Sequence, residues 1–299
     1  MSGDRGPLVH VVRVPGLLPY EAGLDWQRRL ARARIDGRLS TDLLLLVEHE
    51  PVLTLGRGAT GSESGPQDLA AGGIPRFEIE RGGDVTYHGP GQLVGYPILD
   101  LEGFRKDLHW YVRTLEEALI LSLGMLSVHG FRVADHTGVW VGDGRGLDTL
   151  GREKASGGDR DAGYGDARGS AAGGGAEETG DFVRRRIAAG SLRKIASIGV
   201  HVSRWVTWHG FALNVREAAL GPFSAIVPCG IPGVSMTSLE TEGPDAPWEE
   251  IVSAVEGGFG KAFQTRMVRV SPDELERLDL ALERGPPTRR PEPALPDRG

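Results

Sequence analysis

A cysteine, a lysine and a glycine-rich loop are the parts of this chain equipped for covalent chemistry. Cys229 is the only cysteine, and it stands in residues 226–234, IVPCGIPGV. Pro228, Gly230, Pro232 and Gly233 flank it closely. Rigid flanks hold a side chain at a fixed angle, and Gly230 offers an unobstructed N–H to a developing oxyanion. A lone cysteine is also compatible with a buried structural thiol. A nucleophilic one needs a neighbour that makes it a thiolate. Histidine backed by Asn or Asp is one answer, with His88 or His209 available; a lysine ammonium is another, since a nearby positive charge lowers a thiol pKa. Lys194 opens an apolar strand at 195–200, where a solvated edge charge is the ordinary alternative. Only Lys106, Lys154, Lys194 and Lys261 occur, against many arginines. Arginine stays charged, so a site that must pass protons back and forth has reason to keep lysine.

The third feature is residues 81–100, RGGDVTYHGPGQLVGYPILD. Its glycines lie between strand-like residues 77–80 and 93–99, making a loop whose backbone can come close to a guest. A plain β-turn would need only Gly, Asn, Asp or Pro, whereas this stretch also holds Arg81, Thr86, His88 and Gln92. The GPGQLVG run is a poor dinucleotide fingerprint, because it contains Pro90 and leads into a strand rather than a helix.

The elements that must position these residues follow from hydrophobic periodicity. Strands are expected at 8–14, 43–47, 131–134, 139–141, 195–202 and 205–215, and helices at 20–36, 107–126, 248–263 and 271–282. Ser271 with Glu274 reads as a capping box. Residues 152–181 contain no Leu, Ile, Val, Met, Phe or Trp, so residues 143–190 are expected to form a disordered, Gly-rich insertion in one catalytic domain spanning 1–284. On composition this insertion should be dispensable. Without it, 139–142 would run into 193–202 as a single hairpin with an expanded turn. The Pro-rich residues 285–299 are expected to be a disordered tail.

Composition narrows the function. The chain has 299 residues, 39 % hydrophobic and 25 % charged, and a net charge of −7. That charge disfavours a nucleic-acid binder working by phosphate neutralisation. No run approaches a membrane span, and the first ten residues lack a signal-peptide pattern, so a cytoplasmic protein is expected. One cysteine rules out an intrachain disulfide, and the eight scattered histidines form no metal-binding pattern.

Taken together, RGGDVTYHGPGQLVGYPILDL, KIASIGVHVSRWVTWHGFALNV and PCGI, in that order, resemble the lipoate-biosynthesis octanoyltransferase family, related to lipoate and biotin protein ligases. The resemblance runs from about residue 8 to 263. It implies an α+β fold, a mixed and largely antiparallel β-sheet flanked by helices in a biotin/lipoate ligase-like catalytic domain. It also implies that an octanoyl group passes from the phosphopantetheine of octanoyl-acyl carrier protein to Cys229 and then to a lysine of a lipoyl domain. Those domains would belong to the 2-oxoacid dehydrogenase complexes and the glycine cleavage H protein, with no other cofactor. Residue by residue, Cys229 would be the nucleophile and Lys194 the group that lowers its pKa. Substrate would be bound by Arg81, Gly82, Gly83, Asp84, Val85, Thr86, Tyr87 and His88, by Ser197, Ile198 and Gly199, and by Gly210, Phe211 and Ala212. The chain departs from the family at His201, where arginine or lysine is frequent, and in the 143–190 insertion. A lipoate ligase using ATP and a cysteine thioesterase are the rival enzymes, and a non-catalytic binding module is the third alternative.

Overall fold

The computed structural model describes residues 6–59, 73–143, 174–227, 231, 233–275 and 277. Its centre is a mixed sheet of nine strands. Strands β1 (Leu8–Leu18), β2 (Asp42–His49), β6 (Gln92–Ile98), β7 (Phe131–Val133), β8 (His136–Gly142), β9 (Leu192–Ser203), β10 (Val206–Asn214) and β12 (Arg266–Val270) run in the order β12-β1-β2-β6-β10-β9-β8-β7, with β11 (Ser235–Met236) beside β9. β1 is parallel to both its neighbours, and β11 is parallel to β9. Every other pairing in this sheet is antiparallel, as expected from the sequence. A second sheet joins β3 (Val52–Leu55) to β4 (Arg76–Glu78) and β5 (Val85–His88).

Helices cover both faces, and strand alternation decides which residues meet them. On β2, Leu44 and Leu46 enter the cluster formed with α2 (Leu108–Met125) and α4 (Trp248–Phe263), which contribute Leu115, Leu119, Leu123, Ile251, Val255 and Phe259. Leu43, Leu45 and Val47 face the other way, towards Leu30 and Ala31 of α1 (Tyr20–Ile35). The near-continuous run of leucines in β2 is thus the mark of a strand buried on both sides. Asp107 caps α2, its carboxylate accepting from the Trp110 N–H at 2.9 Å.

β8 and β9 pair as the expected hairpin, with Trp140 opposite Lys194 and Gly142 opposite Leu192. The preceding turn is tighter than the sequence indicated. β8 begins at His136, and Asp135 at φ 61° makes the corner. Ser271 and Glu274 form the reciprocal capping box, with helix at 272–275 and 277. The remainder of that expected helix and the 285–299 tail lie outside the described residues. β12 was not foreseen.

One expectation needs correcting. Within the stretch taken for a disordered insertion, Gly174–Ala188 forms a helix, α3. Its Val183 and Ile187 are 2 % and 1 % exposed and sit in one cluster with Val133, Trp140 and Leu192. Two apolar side chains four residues apart lie on one helical face, and that face found an apolar surface ready to receive it.

Candidate active site

A cavity of about 290 Å³ opens between β5, β6, β9 and β10. Residues expected at the site that line it are Arg81, Gly83, Asp84, Thr86, His88, Lys194, Ser197, Ile198, Gly199, Gly210, Phe211 and Ala212. Three others do not. β5 alternates, so Thr86 and His88 face the cavity while Val85 and Tyr87 turn away into a cluster with Leu53, Leu55, Phe223 and Ile226. Gly82 is also absent from the lining; its N–H donates to the Val200 carbonyl at 2.9 Å and ties the loop to β9. Gly199 permits that approach, because a Cβ there would stand 2.8 Å from the Gly82 oxygen.

The loop is held by hydrogen bonds. Arg81 is 7 % exposed and donates to the Thr54 carbonyl at 2.7 Å, to the Thr54 hydroxyl at 2.9 Å and to the Gly82 carbonyl at 3.0 Å. His88 donates from Nδ1 to Gln92 Oε1 at 2.7 Å. Gln92 in turn donates to Asn214 Oδ1 at 2.9 Å, and Asn214 to the Thr237 carbonyl at 3.0 Å. The Thr237 N–H closes the chain on the carbonyl of Lys194 at 3.0 Å.

The histidines around this wall are neutral at pH 7. Burial, reinforced by the neighbouring His49, lowers His88 to about 3. Burial lowers His209 to about 3 despite Glu80 at 3.8 Å, and it lowers His49 to about 4. His201, the departure from the family pattern, is likewise shifted down by burial and by the charge of Arg57, and its Nδ1 donates to the Glu80 carbonyl at 3.1 Å.

Lys194 is 1 % exposed, with its ammonium 5.5 Å from the centre of the Trp140 ring. Buried cations gain from an aromatic face. Gly138, at φ +123°, leaves room for it: a Cβ there would come within 2.6 Å of Lys194 Cε. Its N–H donates at 3.0 Å to Glu116, a fully buried carboxylate bridged to Arg113 and Arg132. Cys229 lies outside the described residues, as do Pro228, Gly230 and Pro232. Ile231, two residues beyond the cysteine, lines the same cavity as Lys194.

Sequence reasoning passed over several lining residues: Tyr20, Val94, Tyr96, Asp135, His136 and Thr137. His209 entered it only as a possible proton partner. Its φ of 56° within β10 is unusual for a non-glycine residue. Thr86 Oγ1 and His209 Nε2 are buried without a hydrogen-bond partner among the described residues. Lining residues with open polar atoms suit a guest that brings a polar atom with its apolar part.

A family model described as the lipoyl protein ligase A/B catalytic domain matches residues 19–260. The chain belongs to that family. An octanoyltransferase of Gloeobacter violaceus is 41 % identical over 271 residues, covering 91 % of this chain and 96 % of that protein. Another, from Nostoc punctiforme, is 37 % identical over 262 residues, covering 88 % and 92 %. Among solved structures, lipoate-protein ligase A bound with ATP aligns with a TM-score of 0.61 at 15 % identity, over 92 % of this chain and 93 % of that one. A putative lipoate protein ligase from T. acidophilum with bound lipoic acid aligns with a TM-score of 0.59, also at 15 % identity, over 92 % and 93 %. The expected fold is borne out. This member of the family is an acyltransferase of the lipoyl and octanoyl kind, and octanoyl transfer in lipoylation is the activity its relatives' names support. Among the described residues no helix is long and apolar enough to cross a membrane.

Proposed function

We propose that the chain transfers an octanoyl group from octanoyl-acyl carrier protein to a specific lysine of lipoyl domains through a thioester on Cys229, the first step of endogenous protein lipoylation. The observation that carries this reading is the placement of fully buried Lys194 and of Ile231, two residues from the sole cysteine, on the wall of one cavity.

In the first step the Cys229 thiolate attacks the thioester carbonyl of the octanoyl-phosphopantetheine. The C–S bond to the carrier breaks, and the departing thiolate takes a proton from the Lys194 ammonium. In the second step the acceptor lysine, as a free amine, attacks the Cys229 thioester. An amide forms, Cys229 leaves as thiolate, and the proton lost by the amine returns to the Lys194 amine. Exchange between thioesters is close to balanced, whereas the amide is more stable, so transfer runs forward without ATP. The lipoyl domain as acceptor is supported by the archaeal neighbour studied as a bi-partite lipoate protein ligase with its E2 lipoyl domain.

The cavity, about 290 Å³, lies at the small end of the range for small-molecule sites. Enclosing eight carbons at ~0.8 kcal/mol per CH₂ contributes about 6 kcal/mol at most, which prefers medium chains but barely separates lengths differing by one carbon. Neutral histidines suit this task, since a charged ring beside an alkyl chain would have to be desolvated.

Intact-mass measurement tests the reading. After brief exposure to octanoyl-acyl carrier protein, the wild type should carry one octanoyl group and Cys229→Ala none, and adding an apo lipoyl domain should move the group onto it. Lys194→Ala should acylate slowly. A wild type that stays unmodified, or an adduct lost equally fast without acceptor, would redirect the assignment to a ligase or a thioesterase.

A further inference from the structure

Helix α3 occupies the stretch that composition marked as dispensable, yet its buried face meets the site. Val183 and Ile187 share a cluster with Trp140, the ring beneath the Lys194 ammonium. Ile231 and Val234 pack against the same cluster. At the helix end, a Cβ on Gly233 would be 3.8 Å from Ala188 Cα, so the chain following Cys229 runs directly against α3. The helix is fastened at its base as well: Arg186 pairs with the Asp143 carboxylate at 3.0 Å and donates to the Asp143 carbonyl. Its end is fixed further by the Ser191 N–H, which donates to the Arg186 carbonyl at 3.0 Å.

The geometry points to α3 as a positioning element for acyl transfer: Val183 and Ile187 hold Trp140 under Lys194 on one side and brace Ile231 and Val234 on the other, while Ala188 abuts Gly233. This rests on the transfer reading above. Neither side chain touches a reacting atom. They act by fixing two chain segments relative to each other, where displacement of a catalytic group by about 1 Å can cost 100-fold in rate. A slackened helix lets the Trp140 ring tilt and the ammonium drift from the thiol, so the thiol loses part of the charge that keeps it ionised.

The test uses the full chain with Val183→Ala/Ile187→Ala, beside Arg184→Ala on the exposed side of the same helix. Cys229 is the only thiol, so iodoacetamide alkylation followed across pH reports its ionisation without an acyl donor. The midpoint should rise by about one pH unit in the double variant, the size of effect expected when a charge partner moves away. Octanoyl transfer should slow about 10-fold or more while KM for the octanoyl donor stays within about 2-fold, since the loss is one of alignment rather than of the cavity. Arg184→Ala should match the wild type in both readouts.

An unchanged alkylation midpoint, with transfer falling only as the folded fraction falls, would overturn the positioning role. Should the double variant fail to fold, Ile187→Val must still raise the midpoint by a smaller amount, and no shift there overturns the role equally. A wild type that never takes an octanoyl group would defeat the transfer reading alone, leaving the alkylation midpoint to decide the role of α3. A chain joining Gly142 to Ser191 lacks the helix, and it should show the same raised midpoint.

Discussion

The two walls of the cavity are built by different means. The wall from Arg81 to His88 is knit by hydrogen bonds, from Arg81 to Thr54 and Gly82 and from His88 through Gln92 and Asn214 to Thr237. The wall carrying Lys194 is held by contact, with Trp140 packed among Val133, Val183, Ile187 and Leu192. A hydrogen-bonded wall fails when one partner goes and leaves another buried and unsatisfied. A packed wall fails by slackening. The first should therefore respond to substitution and pH mainly in stability, the second mainly in the rate of transfer.

The sharpest break in that contrast is Gly138→Ala. The added methyl meets Lys194 Cε and takes a φ of +123° that a side chain rarely adopts, so octanoyl transfer measured in single turnover should fall about 100-fold. Stability should fall by about 1–3 kcal/mol.

Acid acts on the hydrogen-bonded wall. His88 and His209 are lowered to about 3 and His49 to about 4, against about 6.5 when unfolded. Between those values the unfolded chain binds protons that the folded one refuses, so stability is complete above about 6.5 and is lost as pH falls towards the folded values. Denaturant titration at pH 7 and pH 5 should show a loss of about 2 kcal/mol for each ring that stays neutral. Val183→Ala/Ile187→Ala should show the same difference between the two pH values, because the packed wall contributes none of these rings.

Gln92→Leu removes the middle of the relay and leaves Asn214 Oδ1 and His88 Nδ1 without their partners. Chemical denaturation should register a loss of about 1–3 kcal/mol. The smallest change is expected from Thr86→Val. Its hydroxyl has no hydrogen-bond partner among the described residues, so the unliganded protein should keep its midpoint of unfolding to within about 0.5 kcal/mol. A fall in affinity for the octanoyl donor, measured on the same variant, would show that the open hydroxyl serves the guest.

Most of the hydrogen-bonded wall was legible in the sequence, because it lies in one continuous motif. Arg81, Thr86, His88 and Gln92 stood out as polar residues that a turn does not need. What the motif did not reveal was facing: the period of two in β5 sends Val85 and Tyr87 to the opposite side from Thr86 and His88. The packed wall was much less legible. Lys194 was visible through the scarcity of lysine, but the neighbours that seat it come from β8, α2 and α3, and their meeting depends on long-range register. Helix α3 was missed because Val183 and Ile187, its buried residues among those described, follow thirty residues without a large aliphatic side chain. A composition average hides a short apolar face when the receiving surface lies elsewhere in the chain. Tyr20 and Tyr96 were missed for the same reason, each reading as ordinary core on its own element. β12 was missed because RMVRV, about 50 residues beyond the end of β10, pairs with the first strand.

That last pairing bears on synthesis. β1 is made before β2 and gains it within some thirty residues, but its other edge stays bare until β12, at residues 266–270, has been made. Until then the nascent chain displays an unpaired parallel edge rich in valine, the kind of edge that recruits other strands. When β12 arrives it brings Arg266 and Arg269, both exposed, so the outermost strand of the finished sheet carries two exposed charges. Of the described strands β12 is made last, and it is the one that covers this edge.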